Sequence, residues 1–277
     1  MKTFSLSYKS KQWNEDFAYA CNDYGFVLDG ATAVTNQKFS ALDSDAEWYS
    51  MTMGRFLINN LGDKDKSIFE IIKKGIKSIK KEYKNFSGDS EVLDFPSSTL
   101  SLARIVDENI EFYTICDSMI LVEDIFGNVF EIFDSRNAVN DSIRMSYILD
   151  KVNNERLTVP EVRVKYPDII FNGRKLRNTI GHQYVLADDE KVVDNGIFFS
   201  MQKSFVKKIV ILSDGFSQCF DLFKFVSAEE FVKKINCEED AIKFYKKLTK
   251  MQNKDADCKK FLRFKKTDDA SLVCMIL

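Results

Sequence analysis

Three apolar runs in this chain end on an aspartate. Phe26-Val27-Leu28 leads into Asp29-Gly30, Ile209-Val210-Ile211-Leu212-Ser213 into Asp214-Gly215, and Phe112-Tyr113-Thr114-Ile115-Cys116 into Asp117-Ser118. A strand that is apolar on both faces is buried, so an aspartate at its exit stands at the rim of a core. The glycine after Asp29 and Asp214 is expected to let the backbone turn sharply and bring a carbonyl close to something small. Two acidic pairs flank the set: Glu15-Asp16 before the first strand pair and Asp268-Asp269 before the last strand. Aspartate followed by glycine is also an ordinary turn signal, so the recurrence carries the argument rather than any one dipeptide. Carboxylates that converge in a low-dielectric site repel one another unless something positive holds them. The chain offers one histidine, His182, and no C-x-x-C pair among Cys21, Cys116, Cys219, Cys237, Cys258 and Cys274. The natural ligand is therefore a hard divalent cation, Mg2+ or Mn2+, which prefers oxygen donors. H-E-x-x-H zinc sites and multi-histidine iron sites are excluded.

The elements that must position these residues alternate strands with helices. Phe17–Ala20 and Gly25–Asp29 read as two strands joined by Cys21-Asn22-Asp23-Tyr24. Ser44–Leu61 reads as a helix, with Ser44 and Glu47 at capping-box spacing. Ser67–Tyr83 reads as a second, with Ser67 and Glu70 as its capping box and Ile68, Ile71, Ile72, Ile76, Ile79 and Tyr83 as its apolar stripe. Strands follow at Ser98–Val106, Ile110–Cys116, Met119–Asp124 and Val129–Phe133. The turns between them are so short that all four are expected to be antiparallel neighbours in one meander. Asn137–Asn178 reads as helical and polar, with breaks at Pro160 and Pro167. Strands return at Gly196–Met201, Val206–Ser213 and Ser271–Leu277, with helices near Ser227–Ile235 (Ser227 and Glu230 again at capping-box spacing) and Glu238–Met251. Runs of antiparallel strands with separate helix pairs predict an α+β layered sandwich, with residues 1–277 forming a single domain.

Composition narrows the partners. The chain has 277 residues, 45% of them hydrophobic and 30% charged, with a formal charge of −2. That length supports a large core without metal or disulfide staples. No global basic field is present to draw the chain onto nucleic acid or anionic lipid, so neither is expected as a partner. Lys73, Lys74, Lys77, Lys80, Lys81 and Lys84 lie off the isoleucine stripe of their helix and read as a solvated face. The amino terminus lacks a signal-peptide stretch, and no run approaches the roughly 20 apolar residues of a membrane span. With scattered cysteines, this leads to the expectation of a cytoplasmic protein. The phosphate loop G-x-x-x-x-G-K, G-x-G-x-x-G and G-x-S-x-G are all absent. The oligomeric state is left open.

The ordered series goes further than its members. Asn14-Glu15-Asp16, Val27-Leu28-Asp29-Gly30, Ser98-Thr99, Cys116-Asp117-Ser118, Leu176-Arg177-Asn178-Thr179-Ile180-Gly181, Leu212-Ser213-Asp214-Gly215 and Asp268-Asp269-Ala270-Ser271-Leu272-Val273 follow one another over nearly the whole chain. In this order and spread they resemble the metal-dependent protein phosphatases of type 2C, including bacterial members. The resemblance implies a four-layer sandwich, two antiparallel sheets flanked by helices, with a binuclear metal site at one end. It implies that two Mn2+ or Mg2+ ions are held by Asp29 as the bridging ligand, the Gly30 carbonyl, Asp214 and Asp268. Asp117 would join Asp214 at a third, weaker metal. Glu15 would contact metal-bound water, Asp16 would support the site from behind, and residues 137–178 would form a variable flap. The implied reaction is hydrolysis of phosphoserine or phosphothreonine in proteins, by attack of a water shared between two cations.

Four positions depart from the family's pattern. Lys11 stands where an arginine usually grips the substrate phosphate, keeping the charge but losing the bidentate fork. Ala31 stands where many members carry a histidine, Cys116 where a glycine precedes Asp117, and Asp269 where an asparagine follows Asp268. The added carboxylate of Asp269 is expected either to tighten metal binding or to face solvent. Two alternatives stay open: a pseudophosphatase kept as a binding or regulatory module, and a phosphatase for small metabolites. Arg163, Arg174, Lys175 and Arg177 are candidate substrate contacts in the flap, and His182 reads as structural.

Overall fold

Side chains alternate between the two faces of a strand, and most strands of this chain are apolar on both faces. In the computed structural model, which describes residues 1–277, that pattern resolves into two sheets with three apolar interfaces. Strands β1 (Lys2–Tyr8), β2 (Asp16–Ala20) and β3 (Tyr24–Asp29) lead to helices α1 (Asp45–Asn60) and α2 (Ile68–Ser87). Strands β4 (Leu100–Val106), β5 (Asn109–Ile115), β6 (Met119–Asp124) and β7 (Val129–Ile132) follow. Then come α3 (Arg136–Glu155), α4 (Val159–Lys165), α5 (Asp168–Lys175), β8 (Ile197–Gln202) and β9 (Val206–Leu212). The chain ends with α6 (Asp214–Ser217), α7 (Ala228–Lys234), α8 (Glu238–Lys254) and β10 (Ala270–Ile276).

One sheet has the order β1-β10-β9-β6-β7 and the other β2-β3-β4-β5-β8, and every pairing is antiparallel. Val27, Ala103, Ile105 and Phe112 of the second sheet meet Ile120, Ile209, Ile211 and Val273 of the first. The residues one step along face outward: Phe26, Leu28, Leu100 and Leu102 pack under Tyr49, Met53, Leu57, Ile72 and Ile76 of α1 and α2. Leu121, Val210, Leu212 and Leu272 pack under Phe216, Phe231, Val232 and Leu248. The result is the expected α+β sandwich of four layers, helix, sheet, sheet, helix.

Local signals carried most of the elements. The stripe of α2 is buried and its Ser67–Glu70 capping box is formed. Ser44 caps α1 through the amides of Ala46 and Glu47, but Glu47 does not reciprocate; the Ser44 hydroxyl instead donates to Glu15 Oε1 at 2.6 Å. Ser227 likewise caps α7 through the Glu230 amide alone. Pro160 and Pro167 start helices rather than break them, one in the first turn of α4 and the other at the N-cap of α5, where a missing amide costs nothing. Strand β1 was not expected from the sequence; its alternating Phe4, Leu6 and Tyr8 pack on the helix-facing core of the first sheet.

The meander expectation is corrected. Strands β4 and β5 pair, and so do β6 and β7, but β5 and β6 belong to different sheets. The Asp117-Ser118 link therefore crosses the sandwich. Cys116 takes the left-handed conformation, φ +69°, to start that crossing, which explains a glycine as the family's residue at this position.

The two glycines also act differently from the expected sharp turn, since neither has a positive φ. Each permits close approach. A Cβ on Gly30 would stand 2.5 Å from the Glu15 carbonyl oxygen, and one on Gly215 would collide with the carbonyl oxygen of Asp269. Gly215→Ala should therefore destabilise the metal-free protein by about 1–3 kcal/mol in urea denaturation. Gly62→Ala, with open space around it, should stay within about 0.5 kcal/mol of wild type. Equal midpoints for the two variants would contradict this packing argument.

Candidate metal centre

Strand register brings the aspartates together at one end of the sandwich. Asp29 is the last residue of β3, with Asp16 opposite it in β2. On the other sheet, Leu212 at the end of β9 pairs with both Met119 and Leu272. Asp117 just before β6, Asp214 just after β9 and Asp268 just before β10 therefore arrive side by side. Asp29, Gly30, Asp117, Asp214 and Asp268 all line one cleft of about 220 Å³.

Burial dominates the electrostatics of this cleft. It pushes the carboxyls of Asp29 and Asp214 well above the usual range. Neighbouring carboxylates add to the effect: Asp16, Asp214 and Asp268 on Asp29, and Asp268 and Asp117 on Asp214. Asp117 is raised in the same way. Asp16 is pushed up to about 7 by burial, partly offset by the hydroxyls of Ser271 and Ser213, and its Oδ2 is buried without a partner. An excess of buried, mutually repelling oxygen donors suits hard divalent cations. By donor type and convergence the residues fit them, although no three acidic side chains close into a metal-ligating group in this conformation.

Some of the positive charge that balances these carboxylates was not foreseen. Lys265 donates to Asp268 Oδ1 at 2.8 Å and lines the cleft. The charges of Asp268, Asp214 and Asp29 outweigh its burial and push its ammonium up. Nothing in Phe264-Lys265-Lys266 marks one lysine as special. Asn137, Asp141 and Arg144 were also missed, although their helical spacing places them on one face of α3. Asn137 donates to Asp117 and to Asp141, and Arg144 pairs with Asp141. Burial pushes Asp141 up to about 6 against the pull of Arg144.

Of the remaining candidates, Arg163, Arg174 and Arg177 line the cleft, whereas Lys11, Glu15, Asp16, Lys175, His182 and Asp269 do not. Asp269 is buried and does not line the cleft, which corrects the expectation that it faces solvent. Its Oδ1 accepts from the amide and hydroxyl of Ser10, each at 2.7 Å, and its Oδ2 from the Glu15 amide at 2.8 Å. It staples the loop between β1 and β2 to the start of β10. Glu15 is buried and accepts from Lys11 at 2.6 Å, Ser44 at 2.6 Å, Trp13 at 3.2 Å and Thr32. Those donors overcome its desolvation and hold its carboxyl below the usual range. Lys11 also reaches Thr32 Oγ1 at 3.2 Å and lies 5.1 Å from the centre of the Trp13 ring. His182 sits by Asn140, its Nδ1 3.3 Å from the amide oxygen. In the lysine-rich face of α2, Lys73, Lys77 and Lys80 pair with Asp194, Glu190 and Asp188.

Because Asp16 is raised to about 7 and Asp29 and Asp214 are raised as well, the folded chain keeps protons that the unfolded chain releases near pH 4. In that window the folded state binds more protons, so raising the pH destabilises it. In EDTA, the melting temperature should fall between about pH 5 and about pH 7.5, and Asp16→Asn should flatten the fall. A melting temperature that rises across the window would contradict the arrangement.

Comparison with known proteins gives the family and the fold. Residues 7–263 match the family described as Protein phosphatase 2C. No protein of curated function matches the sequence. Among solved structures, the serine/threonine phosphatase PstP/Ppp of Mycobacterium tuberculosis is 16% identical with a TM-score of 0.56, over 100% of this chain and 98% of that one. Stp1 from Staphylococcus aureus is 12% identical with a TM-score of 0.57, over 100% and 94%. The catalytic domain of PstP in complex with two manganese ions is 15% identical with a TM-score of 0.54, over 99% and 96%. At these identities the likeness is one of fold; the family match spans most of the sequence, and with it the chain belongs to the protein phosphatase 2C family.

Proposed function

We propose that this chain is a metal-dependent phosphatase for phosphoserine and phosphothreonine in proteins, with Asp29, the Gly30 carbonyl, Asp214 and Asp268 holding two divalent cations and Asp117 serving a third. The observation that carries the reading is the convergence of carboxylates from both sheets on one cleft that four arginines also line. Family membership and a similar fold that was solved with two manganese ions support it. Bound Mn2+ or Mg2+ would supply Lewis acidity, an activated water and charge neutralisation at the phosphoryl oxygens.

The chain's own contribution is position and field. The half-buried carboxylates sit at, or within two residues of, strand ends, so the two sheets fix their relative placement. Asn137 orients Asp117 from the flap. The Asp269 staple and the Glu15 network fix the loop of residues 9–15 against α1 and Thr32. Arg144, Arg163, Arg174 and Arg177 line the same cleft as the carboxylates, where they offer guanidinium donors to a phosphate. Ala31 supplies no acid beside Asp29, so the leaving oxygen takes its proton from solvent or another group. Six unpaired cysteines, four of them buried, support work in a reducing compartment such as the cytoplasm. No helix is long and apolar enough to cross a membrane.

The purified protein should hydrolyse a phosphothreonine peptide with Mn2+ and stop when EDTA is added. Asp214→Asn should lower kcat by about 10²-fold or more while the far-UV spectrum is kept. Retained activity in that variant would refute the ligand assignment. A binding module is the second reading, because Lys11 is committed to Glu15 rather than to the cleft. Manganese binding without turnover on phosphopeptides or phosphorylated metabolites would favour it.

A further inference from the structure

The residue expected to grip phosphate is occupied elsewhere. Lys11 Nζ donates to Glu15 Oε2 at 2.6 Å and to Thr32 Oγ1 at 3.2 Å, and Lys11 does not line the cleft. Withdrawing it would leave the buried Glu15 carboxylate without its only cationic partner. A phosphate in the cleft therefore needs another strong donor.

The flap presents one. Arg163 and Arg177 are tied down, Arg163 to the Phe264 carbonyl at 2.7 Å and Arg177 to the Phe95 carbonyl at 2.7 Å, Ser97 Oγ at 3.1 Å and Asp94 Oδ1 at 3.1 Å. Arg174 is different. Its Nη2 donates to the Thr32 carbonyl at 3.1 Å, but its Nη1 is buried with no hydrogen-bond partner, and Asp94 Oδ2 is 3.6 Å away. Arg144 has a buried Nε that is also unpartnered. The two are neighbours: a Cβ added to Gly173 would meet Arg144 Cδ at 3.2 Å. Arg174 thus reaches from the flap the same Thr32 that Lys11 touches from the β1–β2 loop, three residues after Asp29. A buried donor left without an acceptor is costly, and a guanidinium meets a phosphate with paired, charge-assisted hydrogen bonds.

We propose that Arg174, backed by Arg144, is the phosphate ligand of this chain, filling from the flap the role that Lys11 does not fill from the loop. The proposal rests on the phosphatase reading, and it names the part of the substrate that is held: the phosphate dianion of a phosphorylated side chain. It makes the flap part of the binding site rather than its surroundings.

The test uses the full chain loaded with Mn2+, with inorganic phosphate as the probe, titrated calorimetrically and as a competitive inhibitor of phosphothreonine-peptide hydrolysis. Arg174→Lys should weaken phosphate about tenfold and Arg174→Gln about a hundredfold, the range of hydrogen bonds between charged groups. KM for the peptide should rise in step, and Mn2+ affinity should hold within about twofold. Lys151→Met, on α3 but outside the cleft lining, should change phosphate affinity by less than about threefold. Wild-type phosphate affinity in both Arg174 variants would overturn the proposal, and so would a loss in Lys151→Met as large as in Arg174→Gln. Should Arg174→Gln lose its native far-UV spectrum, Arg174→Lys decides by the same criterion. Phosphate binding that depends on Arg174 in a protein with no turnover would uphold the anion site and sink the phosphatase reading; turnover indifferent to Arg174 would do the reverse.

Discussion

Like charges forced together at the rim of a hydrophobic core are the constraint on which this structure turns. Asp29 and Asp16 come from one sheet, Asp117, Asp214 and Asp268 from links and loops at the same end of the sandwich. Burial penalises the ionised carboxyls of Asp16, Asp29 and Asp214, and neighbouring carboxylates add to the penalty. Protons, the Lys265 ammonium and the serine hydroxyls near Asp16 relieve part of the repulsion. A pair of divalent cations relieves far more, which is why metal loading and the stability of this end of the fold are one question.

Convergence of that kind demands close packing of backbone as well as charge. Gly30 lies against the Glu15 carbonyl and Gly215 against that of Asp269, so each Asp-Gly pair sits where another segment passes at contact distance. The passing segments are themselves held. Asp269 takes three donors from residues 10 and 15, and Glu15 takes donors from Lys11, Trp13, Thr32 and Ser44. One network therefore joins the β1–β2 loop, the segment after β3, the start of α1 and the start of β10.

The segment of residues 137–178 has a different physical character. Its helix α3 buries only Asn137 and Ile148, and α5 buries no residue. A small apolar cluster of Ile148, Val159, Val162 and Cys258 and a set of arginine contacts attach it to the sandwich. A segment with little buried apolar surface is the least costly part of the molecule to rearrange. Here the arginines that anchor it, Arg163, Arg174 and Arg177, also line the cleft that holds the carboxylates.

How far the chain was legible follows from the range of each signal. Helix α2 with its stripe and capping box, the strands that end on Asp29 and Asp214, and the oxygen-only donor set were determined locally, by periodicity, dipeptides and the near absence of histidine. The distribution of β4–β7 over two sheets was not, because a two-residue link that serves a hairpin serves a crossing equally well once Cys116 turns left-handed. The partners of charged groups were equally hidden. Asp269 meets Ser10 across 259 positions and Arg174 meets Thr32 across 142, whereas Lys11 and Lys265 pair locally with Glu15 and Asp268. The sequence by itself determined that several buried carboxylates stand at strand ends and that oxygen chemistry must satisfy them. Only the tertiary structure decided which of them share a cleft and which positive charges answer them, because Coulomb interactions depend on distance through space and not along the chain.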